Sequence, residues 1–454
     1  MNKVQHYDYL FLGGGKGGKS LAMDLARAGK RVAVIERGMI GGSCINVACI
    51  PSKTLIQIAR NHHARSLVDK EPVSKTDMAQ VSASVKAVVD GMVDLNRRAF
   101  QDSGLHLVTG TGRFVGLRKI LVQTADGSEQ LFEGERVYIN TGTFATIPDV
   151  PGLRELQPLT HVEALRLPEL PSHLIVLGGG YIGLEMAQAF RRLGSDVTVI
   201  NDGPRLVMRE DEDVSVEILR AFQDDGINVN LDVRPVEAHG RSGDTVRIRL
   251  SDESMVEGTH VLVAAGRTPA THILDLHLAG VECDEHGFIK VDDRLATTAE
   301  RTWAIGEVAG TPMFTHASFD DYRVLKAGIE GHSRSVRSRT IPYALFIDPE
   351  LGRIGMNESQ ARARGLPHRV AKLPMAAVPR ARTNRATRGF MKALVDPDSG
   401  QILGFTMLGS GAGEVTTAVQ MAMLGGLPYT ALRDAIIAHP LMSEGLNLLF
   451  ATLK

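Results

Sequence analysis

Two stretches of the chain repeat one pattern of apolar and polar positions. In the first, an apolar run over 9–12 meets Gly13, Gly14, Gly15, Lys16, Gly17 and Gly18; helical periodicity follows over 20–28, then a second apolar run over 32–35 that ends at Glu36. In the second, the run 174–177 meets Gly178, Gly179, Gly180, Tyr181, Ile182 and Gly183, with a helical stretch over 184–193 and an apolar run over 197–200 ending at Asn201. Short apolar runs bounded by glycine read as buried strands, and the stretches between them as helices. Each stretch therefore predicts strand, turn, helix, strand. Glu36 and Asn201 follow the first glycine of their turns by the same 23 residues, so the two units match position for position.

A glycine-rich turn on its own is common, because glycine serves wherever φ must be positive. Between a strand and a helix it means more: the glycines let a ligand approach the backbone, and the helix N-terminus favours a pyrophosphate. Two such turns predict two dinucleotide sites, one on Gly13, Gly15 and Gly18, the other on Gly178, Gly180 and Gly183. From about 341 onward the pattern changes, with β-like runs over 389–395 and 402–407 and helical runs over 413–424 and 432–437. No third phosphate turn occurs there, and the region reads as an interface domain. The expected fold class is α/β, with two Rossmann-like dinucleotide-binding domains and an α+β C-terminal domain.

Length and charge agree. The 454 residues make about three domains at roughly 150 each. Lys+Arg 51 against Asp+Glu 52 leaves a net charge of -1, so no field draws the protein to nucleic acid or an anionic bilayer. The longest uncharged run, 415–432, is broken by Thr416, Thr417, Gln420, Gly425, Gly426 and Pro428 and makes a poor membrane span. No basic segment followed by a long apolar stretch opens the chain, and a cytoplasmic location is expected.

Three cysteines occur, Cys44, Cys49 and Cys283. The close spacing of the first two suits redox or metal chemistry in a reducing compartment better than a structural staple. Pro51, two residues after Cys49, is favoured in a first helical turn, where the helix dipole would favour a thiolate. Competing with a redox disulfide are a zinc site, which would want four ligands, a pair of buried core thiols and a static crosslink. Toward the C-terminus His439 and Glu444 set an imidazole beside a carboxylate, an arrangement suited to moving the proton that thiol–disulfide exchange requires.

These residues carry a resemblance over nearly the whole chain. The first glycine turn with Glu36, GGSCINVACIPSK (41–53), NTGT (140–143), GGGYIGLE (178–185), AAGRTP (264–269), AIGEV (304–308), IPYALFIDPELGRIG (341–355) and HPLMSE (439–444) resemble the flavoprotein pyridine nucleotide-disulfide oxidoreductases, the group of glutathione reductase, dihydrolipoamide dehydrogenase and mercuric reductase. GGGKGGKSLA, SFDDYRVL, LPMAAVPRAR and LPYTALRD are similar to the branch containing the reactive-chlorine-resistance flavoprotein, a copper(II) reductase.

The resemblance implies an FAD-binding domain over 1–147 and 267–335, an NAD(P)-binding domain over 148–266, and a dimerisation domain over 336–454. It implies that Glu36 binds the adenosine ribose, Lys53 and Glu185 pair beside the flavin, Tyr181 covers the nicotinamide pocket and Glu307 meets the ribityl chain. Gly42, Ser43, Gly112, Thr141, Gly142, Ile182, Gly266 and Arg267 join the cofactor-binding set. Electrons would pass from NAD(P)H through FAD to a Cys44/Cys49 disulfide, Cys49 resting as thiolate and Cys44 facing the substrate. In a homodimer with a shared site, His439 and Glu444 would serve the cysteines of the partner subunit. No resident metal is expected.

Several positions depart from the usual family pattern. Ala48 replaces a glycine and Glu307 an aspartate. Asn201 stands where an acid would take the ribose 2′-hydroxyl of NAD, and the nearby Arg205 suits a 2′-phosphate, so the co-substrate leans toward NADPH. The end of the chain, 451–454, has no cysteine pair of the kind found in mercuric reductase. Arg380, Arg382, Arg385 and Arg388 read as a solvated stretch, His62 and His63 as surface residues, and Cys283 as passive. Three functions follow: a disulfide, metal-ion (Cu(II) or Hg(II)) or oxidant-response reductase, a dihydrolipoamide dehydrogenase, and a non-catalytic flavoprotein partner.

Overall fold

The computed structural model describes residues 3–69 and 76–453. Among these residues the strands form five sheets. In the largest, Gln5–Leu12 lies between Val32–Glu36 and Glu129–Ile139, parallel to both. Its outer strands are His106–Thr109 on one side and the antiparallel Lys119–Gln123 and Thr111–Gly116 on the other. Thr302–Ala304 returns from far along the chain to pair with Glu129–Ile139. The order of connection reverses between Gln5–Leu12 and Glu129–Ile139, which opens a crevice at their carboxyl ends, where open α/β sheets take ligands. Gly13 and Asn140 stand at its lips.

A second parallel sheet repeats the plan. His173–Leu177 lies between Asp196–Ile200 and His260–Val263, with Asn228–Asn230 outermost. Its reversal falls beside Gly178 and Ala264. The chain passes from the first sheet at Thr143–Ala145 and returns at Arg267–Pro269, and these two segments pair antiparallel with each other. The C-terminal part is an antiparallel sheet, ordered Tyr343–Leu345, Leu351–Gly355, Ile402–Leu408, Phe390–Val395, Arg369–Pro374, covered by the helices Ala412–Leu424 and Gly445–Ala451 through a core that includes Phe405, Met407, Val419 and Phe450.

Both glycine-motif helices start earlier than periodicity predicts. They span Lys16–Arg27 and Tyr181–Leu193, with Gly15 and Gly180 at their N-caps, so the last glycine of each motif lies in the first helical turn. Low helix propensity argues against glycine there; packing decides the matter. A Cβ on Gly17 would lie 2.4 Å from the Ser318 carbonyl oxygen, and one on Gly183 only 2.0 Å from that of Gly178. Only glycine lets these helices seat against their neighbours.

The helix expected over 432–437 is corrected. It runs instead over Tyr429–Arg433, because the Asn447 side-chain amide donates to the carbonyls of Leu432, Arg433 and Ala435 and so satisfies the acceptors that would have continued it. His62 and His63 are also corrected: both are half-buried, and His62 Nδ1 donates to the Arg192 carbonyl at 2.9 Å. The arginine stretch is solvated as read, with Arg380, Arg382 and Arg385 exposed and Arg388 paired with Asp224.

The two glycines of the second turn separate packing from ligand binding. Gly183→Ala is expected to cost about 1–3 kcal/mol of stability through overpacking, measured as a lower midpoint in thermal or urea unfolding. Gly180→Ala, with nothing within 4 Å of its Cβ position, is expected to stay within about 0.5 kcal/mol of the wild type.

Candidate active site

The strand-end residues act on the turns in the same way. Glu36 Oε2 accepts from the Gly14 amide at 2.8 Å, and Asn201 Oδ1 from the Gly179 amide at 3.0 Å. Glu36 also accepts from Gly38 and Met39, while Asn201 donates to the Gly203 and Arg205 carbonyls. Each side chain thereby sets the shape of its own loop. In the first turn Gly13 takes φ +99°, and the Gly18 amide donates to Asn140 Oδ1.

The residues present fit two dinucleotides. Gly180 has an ordinary φ and open space where a Cβ would be, so the fold itself does not ask for glycine; close approach of a ligand does. Ile182 beside it is partly exposed, at 36%. In the first crevice the Thr141 hydroxyl is buried without a hydrogen-bond partner, a polar group that a bound flavin nucleotide would satisfy. Gly142 and Gly266 adopt positive φ at the paired segments, where Arg267 donates to the Thr143 hydroxyl at 2.6 Å and lies 3.4 Å from Glu307. Thr143 also donates to Glu307, so the extra methylene of this glutamate is spent in reaching its neighbours. Gly112 stands apart. It lies within a strand, and its missing side chain makes room for Leu12, Ile120 and Ile35.

The cysteines sit where two helices begin. Gly42, at φ +86°, turns the chain into the short helix Ser43–Asn46 that carries Cys44, and Cys49 is the first residue of Cys49–Asp69. Cys44 hydrogen-bonds to Cys49, and Thr315 lies 3.3 Å from the Cys49 sulfur. The Cys44 hydrogen bond is the main reason the Cys49 thiol is pulled down to about 6; burial opposes this, while Thr315 and the Lys53 charge assist. The same contact, with burial, raises Cys44. The two sulfurs are thus driven apart in acidity, a poised thiolate beside a retained thiol.

One turn along, Lys53 forms a 2.7 Å ion pair with Glu185 of the second glycine-motif helix. Glu185 also accepts from the Phe346 amide at 3.0 Å, and the Lys53 ammonium lies 4.9 Å from the Phe346 ring centre. Lys19 is buried with only neutral acceptors, the Gly41 carbonyl and Asn96, and burial lowers it to about 8. His439 Nδ1 meets both Glu444 oxygens at 3.0 Å, with the imidazole largely exposed. Among the described residues of one chain nothing joins this pair to the cysteines. Sequence reading missed Thr315, Lys19, Phe346 and Glu210; Lys19 and Phe346 lie within the motifs given above and the other two outside them, but only the fold brings any of the four to its partners. No group of three or more His, Cys, Asp or Glu placed to hold a metal ion occurs among the described residues, and no helix there is long and apolar enough to cross a membrane.

Comparison with known proteins gives the family. The pyridine nucleotide-disulphide oxidoreductase model matches residues 7–321, and the dimerisation domain of the same family matches 341–449. The chain belongs to the pyridine nucleotide-disulphide oxidoreductases. It is 38% identical to the probable pyridine nucleotide-disulfide oxidoreductase RclA of Escherichia coli, with 100% of both chains covered. It is 33% identical to a mercuric reductase of Bacillus cereus over 98% of this chain and 71% of that one. The solved Cu(II) complex of the HOCl-induced flavoprotein disulfide reductase RclA from Escherichia coli superposes with a TM-score of 0.92 at 37% identity, covering 99% of this chain and 100% of that one. As a pyridine nucleotide-disulphide oxidoreductase, the chain is an enzyme of a family that uses FAD and NAD(P)H, and it carries the family's dimerisation domain.

The sulfur pair gives a direct readout. In the reduced protein, thiolate absorbance near 240 nm is expected to rise through about pH 6 as Cys49 ionises. Removing the donor in Cys44→Ala is expected to move that midpoint upward toward the ordinary value near 8.5, and Cys44→Ser, which keeps a donor, to move it less.

Proposed function

We propose that the protein is an FAD-dependent NAD(P)H oxidoreductase that uses a Cys44/Cys49 disulfide to reduce a disulfide, a metal ion such as Cu(II) or Hg(II), or an oxidant-derived acceptor. The observation that carries this reading is the placement of two cysteines at successive helix starts, Cys49 3.3 Å from Thr315, beside a lysine paired across to the nucleotide-motif helix. FAD, when bound, supplies a two-electron relay between the nicotinamide and the sulfurs. Gly13, Gly15, Gly18 and Glu36 bind its adenosine end, and Thr141, Arg267 and Glu307 stand ready for the remainder. Residues 1–147 with 267–335 form the flavin unit, 148–266 the nucleotide unit and 336–454 the dimerisation unit.

Cys49 holds the negative charge after reduction and Cys44 keeps its proton until the acceptor arrives. Soft thiolates bind Cu(I) and Hg(II) well, which supports a metal-ion acceptor alongside a disulfide. The exposed His439, with its tautomer fixed by Glu444, has no reacting partner among the described residues of its own chain. In a homodimer the partner subunit's His439 supplies the proton acceptor for Cys44. Asn201 offers no carboxylate to a ribose 2′-hydroxyl, and the Arg205 guanidinium makes no ion pair among the described residues, which supports NADPH as the preferred nucleotide.

The test is steady-state turnover with Cu(II), Hg(II), lipoamide, glutathione disulfide and hypochlorite-generated disulfides. Cys44→Ser is expected to keep FAD and lose at least about a hundredfold in reduction of the preferred acceptor; unchanged turnover would remove the dithiol from the mechanism. Fast oxidation of dihydrolipoamide by NAD would mark a dihydrolipoamide dehydrogenase instead, and failure of NADPH and NADH to bleach the flavin would mark a non-catalytic partner. A kcat/KM ratio favouring NADPH that falls about tenfold in Arg205→Ala is expected from a lost charged contact; an unaltered ratio would show that Arg205 plays no part in nucleotide choice.

A further inference from the structure

Tyr181 opens the second glycine-motif helix, and Glu185, four residues on and so on the same face, pairs with Lys53 of the cysteine-bearing helix. The tyrosine therefore stands between the turn shaped for a pyrophosphate and the helix that begins at Cys49. Its hydroxyl is not free. It donates to Glu210 Oε1 at 2.8 Å, and Tyr343 donates to the same oxygen at 2.7 Å. The other oxygen accepts from Arg353 at 3.2 Å. The Glu210 side chain has no exposure and that of Arg353 only 3%.

The cluster reaches toward the sulfurs as well. The Tyr343 ring lies 5.7 Å from that of Tyr181 and stacks at 5.4 Å and 3° on Phe314. Phe314 caps the helix whose first residue, Thr315, contacts Cys49. Glu210 has no place in either glycine motif, yet it joins the nucleotide-motif helix to the C-terminal sheet. A buried carboxylate already paired with a guanidinium has no water to turn to, so its bond to the tyrosine opposes any movement of the ring.

We propose that Glu210 is a positioning residue that latches Tyr181 closed, so that a nicotinamide ring enters only by breaking the Tyr181–Glu210 hydrogen bond, and that this bond sets the affinity for the nucleotide. The inference rests on the functional reading above and adds a residue to it. A latched ring lowers apparent affinity by the fraction of molecules that are open. Arg353, by holding Glu210, places this control partly in the C-terminal sheet.

Anaerobic stopped-flow reduction of the FAD-loaded enzyme by NADPH and by NADH tests it. Tyr181→Phe keeps the ring and removes the donor, leaving Glu210 with Tyr343 and Arg353. The dissociation constant obtained from the concentration dependence of flavin bleaching is expected to fall about tenfold, the worth of one hydrogen bond to a charged acceptor. Glu210→Gln is expected to shift it in the same direction, and the double variant to go no further than Tyr181→Phe, as for two residues in one contact. An unchanged dissociation constant in Tyr181→Phe, or additive effects of the two substitutions, would overturn the latch. If the wild type is bleached by neither nucleotide, the functional reading itself falls; normal bleaching with equal constants in wild type and Tyr181→Phe defeats the latch alone.

Discussion

The ion pair between Lys53 and Glu185 is the contact on which the site's geometry depends. One of its residues belongs to the cysteine-bearing helix and the other to the helix that follows the second dinucleotide turn, so the pair fixes how these two helices lie against each other. Glu185 is nearly buried and uses its second oxygen on the Phe346 amide, while Lys53 rests against the Phe346 ring. With Glu185 buried and the Lys53 side chain 34% exposed, the pair contributes alignment more than stability, because desolvation of the carboxylate offsets part of its attraction. Its charges also reach the chemistry: Lys53 favours the Cys49 thiolate and Glu185 disfavours it. The pair therefore aligns the two helices and adds a small charge effect at Cys49, whose acidity the Cys44 contact mainly sets.

The glycine units were legible because their chemistry is local. A strand, a turn and a helix occupy one short stretch of sequence, and the equal offsets to Glu36 and Asn201 reappear as equivalent hydrogen bonds to Gly14 and Gly179. The cysteine pair was legible for the same reason, with Pro51 marking the helix start. Thr315, Phe346 and Glu210 were not, since each meets its partner across more than one element and no spacing announces it. The helix expected over 432–437 failed because Asn447, a residue beyond it, satisfies its last carbonyls.

Exposure tells the same story at the far end of the chain. His439 and Glu444 form a well-oriented pair on the surface, and Ile436 near them is wholly exposed at 104%. Isolated apolar exposure is ordinary, and among the described residues the imidazole is bonded to Glu444 alone. The dimerisation domain is where the family model places this segment.

The antiparallel pairing of Thr143–Ala145 with Arg267–Pro269 bears on how the molecule was assembled in evolution. Because the outgoing and incoming segments lie side by side, everything between them hangs from a single doorway, as an inserted domain does when its termini are neighbours. Exchanging such a cassette for one of different nucleotide preference would also have to match the contacts Lys53–Glu185 and Arg353–Glu210 with the rest of the chain. That same doorway carries Arg267, Thr143 and Glu307, so any exchange of cassettes must preserve a shared threshold of three side chains.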